Sequence, residues 1–194
     1  MKSISTLSKL FLMILSVTGV STAALAVIQP TAANTNVNAK MTDAAAVVQS
    51  KISLQQAILI ASKTVQGDVV SAEFEKNDHT AGGEYEVKFV GNGVEHEVNI
   101  DANTGKVLKT KQEKLDKEDM AEYSAMKQSK MTLTQAIQKA TQTVNGRVLE
   151  AEFDIDNGKS IYEVKIANGT QVNKIAIDSM TGQVISNQVK AAHK

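Results

Sequence analysis

Residues 51–75, KISLQQAILIASKTVQGDVVSAEFE, return at residues 130–154 as KMTLTQAIQKATQTVNGRVLEAEFD. Lys51 thus aligns with Lys130, and from Tyr85 onward the spacing shortens slightly, so that YEVK there matches the YEVK beginning at Tyr162. Asp101-x-x-Thr104-Gly105 likewise matches Asp178-x-x-Thr181-Gly182. The difference in spacing falls in HTAGGE, a loop by composition, where a change of length is tolerated. Upstream, Met41 pairs with Met120, Ala46 with Ala125, and Gln49-Ser50 with Gln128-Ser129. Self-similarity of this length makes the chain two copies of one unit.

Each copy reads as a helix followed by an antiparallel meander. Ser53 with Gln56, and Thr132 with Gln135, have the spacing of a capping box, in which the hydroxyl accepts an orphan backbone N–H and the amide side chain returns to the cap. Leu54, Ala57, Ile58, Ala61 and Val65 make one helical stripe, mirrored by Leu133, Ala136, Ile137, Ala140 and Val144. Alanines in that stripe allow a sheet to approach closely. Gly67 and Gly146 are expected to end the helices. Residues 41–49 and 120–128 can each add a short preceding helix.

Period-two signals follow. Val70, Ala72 and Phe74, then Tyr85, Val87 and Phe89, then Val98 and Ile100 point to one side. Their counterparts are Leu149, Ala151 and Phe153, then Tyr162, Val164 and Ile166, then Ile175 and Ile177. Glu73, Glu86, Lys88, Glu97 and Lys165 take the opposite face, so one side meets the helix and the other water. Gly91-Asn92-Gly93 and Asn168-Gly169 are hairpin turns. The Asp101 and Asp178 carboxylates are placed to bond their own turns, and Gly105 and Gly182 to supply positive φ. The fold class is α+β: two tandem repeats, each a helix, or a short helix plus a longer one, on a three- to four-stranded antiparallel meander. The expected boundaries are 41–108 for repeat 1, 109–119 for a charged linker, 120–186 for repeat 2 and 187–194 for a tail.

The N-terminus assigns a compartment. Lys2 and Lys9 precede an apolar run from Leu10 to Val20, and small residues then end in Ala24-Leu25-Ala26. This is the order of a secretory signal peptide, residues 1–26, with cleavage expected after Ala26. An uncleaved anchor is the rival, because Leu10 to Ile28 carries no charge. Ser16, Thr18, Gly19, Ser21 and Thr22 dilute that stretch and favour cleavage. Residues 27–40 read as a flexible leader. The expected compartment is the periplasm or the exterior of a bacterial cell, with no stable membrane insertion after cleavage.

Over the whole chain, 21 basic and 21 acidic side chains cancel. Loss of Lys2 and Lys9 leaves the mature chain slightly acidic, which argues against nucleic acid as a partner. Zero cysteine excludes disulfides, thiolate metal sites, a cysteine nucleophile and a lipidated N-terminal cysteine. With no tryptophan and a single arginine, Arg147, the sequence does not advertise an aromatic-anchored interface. Tyr123 is the one tyrosine outside the repeated core pattern.

These residues resemble the PepSY domain family, here in tandem over residues 51–108 and 130–185. The resemblance rests on the Ser53- and Thr132-led helices, Tyr85-Glu86-Val87 and Tyr162-Glu163-Val164, and the Asp101 and Asp178 turns. It implies an exported protein that inhibits or regulates peptidases, and it does not imply catalysis; the expected role is a non-enzymatic module that binds a peptidase or another envelope protein. No peptidase is attached, and the sequence has no pair of zinc-binding histidines. The layout, though no motif, is also similar to the tandem α+β fold of the β-lactamase inhibitor protein.

No catalytic, cofactor-binding or metal-ligating residue is expected. The triplet Glu95-His96-Glu97, with His79 and Asp78 nearby, cannot converge on one ion if a strand sends His96 to the face opposite its neighbours. His193 has no evident partner in the tail. No G-x-S-x-G elbow exists. Asp154 and Asp156 alternate with Ile155 and are expected to be solvated. One carboxylate in each Asp turn cannot supply the many oxygens that calcium requires. Binding at a sheet edge needs no special side chain and stays open. A second hypothesis is a small-molecule or metal-binding periplasmic module that uses the cleft between the repeats. The sequence leaves the oligomeric state open.

Overall fold

The computed structural model describes residues 41–77 and 82–192. The signal peptide, its cleavage site, the 27–40 leader, Asp78, His79 and His193 lie outside the described residues.

Repeat 1 runs α1 (Asp43–Gln49), α2 (Leu54–Ala61), β1 (Asp68–Lys76), β2 (Gly83–Gly91), β3 (Val94–Asp101) and β4 (Val107–Lys114). Repeat 2 repeats that order as α3 (Lys117–Met126), α4 (Leu133–Thr143), β5 (Arg147–Asp156), β6 (Lys159–Asn168), β7 (Gln171–Asp178) and β8 (Val184–Ala191). Each repeat is thus two helices on a four-stranded antiparallel meander.

Both expected capping boxes form. Ser53 Oγ accepts from Gln56 N at 3.2 Å while Gln56 Oε1 accepts from Ser53 N at 2.8 Å. Thr132 and Gln135 do the same at 3.3 and 2.8 Å. The stripes Leu54, Ala57, Ile58, Ala61 and Leu133, Ala136, Ile137, Ala140 are buried. In the Asp turns, Asp101 Oδ1 accepts from Asn103 N, Thr104 N and Thr104 Oγ1, and Asp178 Oδ1 accepts from Met180 N, Thr181 N and Thr181 Oγ1. These bonds favour the charged form and hold both carboxyls below the usual range.

Four details differ from the sequence expectations. Residues 107–114 are the edge strand β4, so the charged linker shrinks to the few residues before α3. Every β4 residue is exposed, which explains why no burial alternation marks it. Residues 184–191 form β8 at the other edge, so the 187–194 tail is largely strand. Gly67 and Gly146 open strands rather than end helices. Their φ angles are +152° and +153°, and a Cβ on either would clash with the backbone oxygen of Val90 or Ala167. Finally, a bulge between Val148 and Glu150 turns Val148 inward where Leu149 was expected.

The two meanders are one sheet, in the order β4-β3-β2-β1-β5-β6-β7-β8. Its centre is a short antiparallel seam in which Ser71 faces Glu152, Ala72 faces Ala151 and Glu73 faces Glu150. Beyond the seam the strands part, and α1 and α3 bridge them. Asp43 of α1 accepts from Lys76 N, at the end of β1, while Arg147, at the start of β5, donates to Val47 O. On the other side Tyr123 of α3 donates to Asp68, at the start of β1. Val47 and Met126, equivalent residues of α1 and α3, are both buried in the common core.

A single hydrophobic cluster joins both repeats. Tyr85 and Tyr162, 0% and 1% exposed, anchor it, with Phe74 and Phe153 edge-on at 5.4 and 5.5 Å. Among the described residues, no single helix is long and apolar enough to cross a membrane.

Candidate functional site

Three surfaces carry side chains or backbone able to bind something: the open face of the sheet, its edges, and a cleft between the repeats.

The open face is charged in rows that cross strands. Asn99, Glu86, Glu73, Glu150, Lys165 and Lys174 are successive neighbours from β3 to β7. Three carboxylates in the middle of this row repel one another. Burial first, then Glu150 and Glu86, push the Glu73 carboxyl up to about 7. Glu150, Glu152 and Glu163 bring oxygens within 4.8 Å of one another. Two lysines already pair with two of these three carboxylates. Lys165 Nζ is 2.7 Å from Glu150, and Lys174 Nζ is 2.5 Å from Glu163. Burial opposes the charge on Lys165, but Glu150 and Glu163 outweigh it and hold the ammonium above its usual range. The arrangement is an ion-pair network with its cations built in.

This convergence was missed from sequence, because Glu150 and Glu152 meet Glu163 only through the β5–β6 pairing. For the triplet singled out there, β3 turns His96 toward buried Phe89 and sends Glu95 and Glu97 to the open face. Glu97 pairs with Lys111 at 2.5 Å. Asp156 is exposed as expected, whereas Asp154 is half-buried. Burial raises the Asp154 carboxyl, and its Oδ1 accepts from Ile155 N. Its neighbour Glu122 on α3 is 5% exposed, and burial, then Asp154 and Glu152, push its carboxyl up to about 7.

The two edges are unlike. Strand β4 carries Lys109, Lys111, Glu113 and Lys114, the charge pattern that protects a free edge from pairing. Strand β8 carries Lys190 alone, and Ile185 and Val189 are exposed.

The cleft has a volume of about 310 Å³ and lies where the start of β1 meets the α3–α4 corner. Asp68, Lys127, Ser129, Met131, Thr132 and Tyr162 are among its lining. Asp68 Oδ2 accepts from Tyr123 OH at 2.6 Å and from Lys127 Nζ at 2.9 Å. Those two bonds hold the Asp68 carboxyl below its usual value. The Tyr123 phenol, partly desolvated and beside that carboxylate, is pushed up to about 12. Tyr162 OH donates to Met131 O at 2.8 Å.

The fold is a duplicated α+β module. Comparison with known families makes this specific. The family model described as peptidase propeptide and YPEB domain, PepSY, matches residues 51–111 and 130–187, and the chain belongs to that family. PepSY domains occur in peptidase propeptides and regulators, and the family is generally non-catalytic. A crystal structure of a predicted lipoprotein from Clostridium difficile 630 is similar at 30% identity, over 73% of this chain and 95% of that one, with a TM-score of 0.44. No curated protein matches.

Proposed function

We propose that the chain is an exported, non-enzymatic binding module that inhibits or regulates a peptidase or another envelope protein. The β8 edge carries this reading. It offers unpaired backbone groups along a strand with one charge, and an extended segment of a partner can add to it as a further strand. Membership of the PepSY family supports a peptidase as the first partner to test, and the secretory pattern of residues 1–26 supports export.

The test is in-cell crosslinking of the full chain followed by mass spectrometry, with assays of each captured peptidase. The expected result is a peptidase slowed by the purified protein and released by Val189→Lys or Ser186→Pro at the β8 edge. Capture of neither a peptidase nor another envelope protein, or slowing unchanged in both variants, overturns the reading.

A second reading, a small-ligand module, is favoured by the cleft beside Asp68. Its metal form is disfavoured, since Lys165 and Lys174 already occupy the best carboxylate group. Calorimetry with divalent cations and a thermal-shift ligand screen separate these forms.

A further inference from the structure

Aligning the repeats places Asp68 at the position of Arg147. Each of these residues starts a central strand and faces the helix corner of the other repeat. In the α1–α2 corner, Arg147 Nη2 donates to Ser50 O at 2.6 Å, Ile52 O at 2.9 Å and Ser50 Oγ at 3.0 Å. Tyr85 OH closes the same corner with a bond to Ile52 O. A guanidinium therefore fills this corner and satisfies its acceptors.

The α3–α4 corner has the same parts. Ser129 and Met131 replace Ser50 and Ile52, and Tyr162 replaces Tyr85, bonding Met131 O. The residue opposite is the shorter and oppositely charged Asp68, and a cleft of about 310 Å³ opens there. Ser129 Oγ is buried beside the Tyr162 phenol without a well-formed hydrogen bond, whereas Ser50 Oγ accepts from Arg147.

We propose that the cleft at Asp68, Ser129 and Met131 binds the guanidinium group of an arginine supplied in trans, as Arg147 binds within the chain. The ligand replaces the missing internal side chain, and Asp68 adds the countercharge that the α1–α2 corner lacks. Charge-assisted bonds from a planar fork to a carboxylate and carbonyls favour arginine over lysine. The N-terminus of α4 lines the cleft and disfavours a cation, yet the equivalent α2 N-terminus stands beside Arg147 and does not prevent its binding. Lys127, whose side chain is 55% exposed, competes for Asp68 and has to swing aside.

This inference rests on the cleft being a binding site and is independent of the β8 edge. The test is calorimetry of the full chain with acetyl-Gly-Arg-Gly-amide, its citrulline and lysine counterparts, an aspartate counterpart, and free L-arginine. The arginine peptide is expected to bind at least about tenfold more tightly than the neutral citrulline peptide. Asp68→Asn should weaken binding by about tenfold or more, and Lys127→Ala should strengthen it several-fold. Asp68→Arg should refill the corner and abolish binding, with folding checked by thermal melting. Equal binding of free arginine and the peptide assigns the ligand to the amino acid. Tighter peptide binding assigns it to a polypeptide. Either outcome supports guanidinium recognition. Absence of binding, equal binding of citrulline, or preference for aspartate overturns it. If arginine fails while another compound shifts the melting temperature, the small-ligand reading survives alone. If Val189→Lys releases a peptidase and Asp68→Asn does not affect arginine binding, the edge reading survives alone.

Discussion

Ala72 and Ala151 stand directly opposite each other across the β1–β5 seam, both fully buried. They are the same position in the two repeats, so the point between them marks an internal twofold. Neighbours obey it: Glu73 faces Glu150, and Ser71, the equivalent of Glu150, faces Glu152. Small side chains here let α2 and α4 approach the sheet. Replacing Ala151 with Leu should therefore strain the packing and cost about 1–3 kcal/mol. Because one hydrophobic cluster joins the repeats, urea unfolding followed by circular dichroism should show one transition, shifted in the variant but not split. Two separate transitions would mean that the repeats fold independently.

Gly146 has a reason beyond flexibility. Its φ is +153°, and a Cβ would overlap Ala167 O and come within 2.6 Å of Ile166 Cγ2. Backbone cannot swing away as a side-chain tip can. Gly146→Ala should cost about 2 kcal/mol or more, from overpacking and backbone strain together. Gly158 is the control, because its φ is +76° and a Cβ there would meet no atom within 4 Å. Gly158→Ala should cost about 1 kcal/mol, from backbone strain alone. Chemical denaturation of the two variants side by side measures the difference, and equal losses would contradict the steric account.

Arg147 bonds acceptors of three residues in the α1–α2 corner, Val47, Ser50 and Ile52. Arg147→Met keeps much of the stem but takes the donor from Ser50 O, whereas Ile52 O keeps Tyr85 OH and Val47 O keeps Ser50 N. A loss of about 1–3 kcal/mol is expected, by thermal or urea unfolding. Arg147→Lys should recover only part of it, because an ammonium cannot match the spread of the guanidinium fork. Full recovery by lysine would show that charge alone matters.

The elements that proved legible from sequence are those set by local chemistry. Ser53 and Thr132 announced their helices through the glutamine three positions on, and Asp101 and Asp178 announced their turns through the following Thr-Gly. Strand β4, with KTKQEK as its charged part, resembles a linker in sequence because a strand whose two faces both meet water has no alternation to display. The union of the two meanders at Ala72 and Ala151 left no local trace, since pairing between segments so distant in sequence is decided by what the rest of the sheet buries. The cleft did have a signal. Within the repeat alignment, Asp68 against Arg147 exchanges charge sign and length at a position flanked by matching glycines and valines, but its meaning required knowing that each faces the other repeat's helix corner.

Glu122 ties stability to pH. Its carboxyl, 5% exposed and facing Asp154, Glu152 and Asp119, is raised to about 7, whereas an unfolded glutamate titrates near 4.5. Between those values the folded protein holds a proton that the unfolded chain has released, so stability falls as pH rises from about 4.5 to 7. Below that window the carboxyl is neutral in both states and costs nothing. Above it the buried charge imposes its full penalty, on the order of 1–3 kcal/mol. Glu73, raised to about 7 as well, adds a slope of the same sign. The Glu122 share is isolated by difference: Glu122→Gln should match the parent near pH 4, exceed it at pH 8, and remove part of the slope between. Urea midpoints across pH 4–8 measure this, and a variant no more stable than the parent at pH 8 would show that the Glu122 charge is accommodated in the fold.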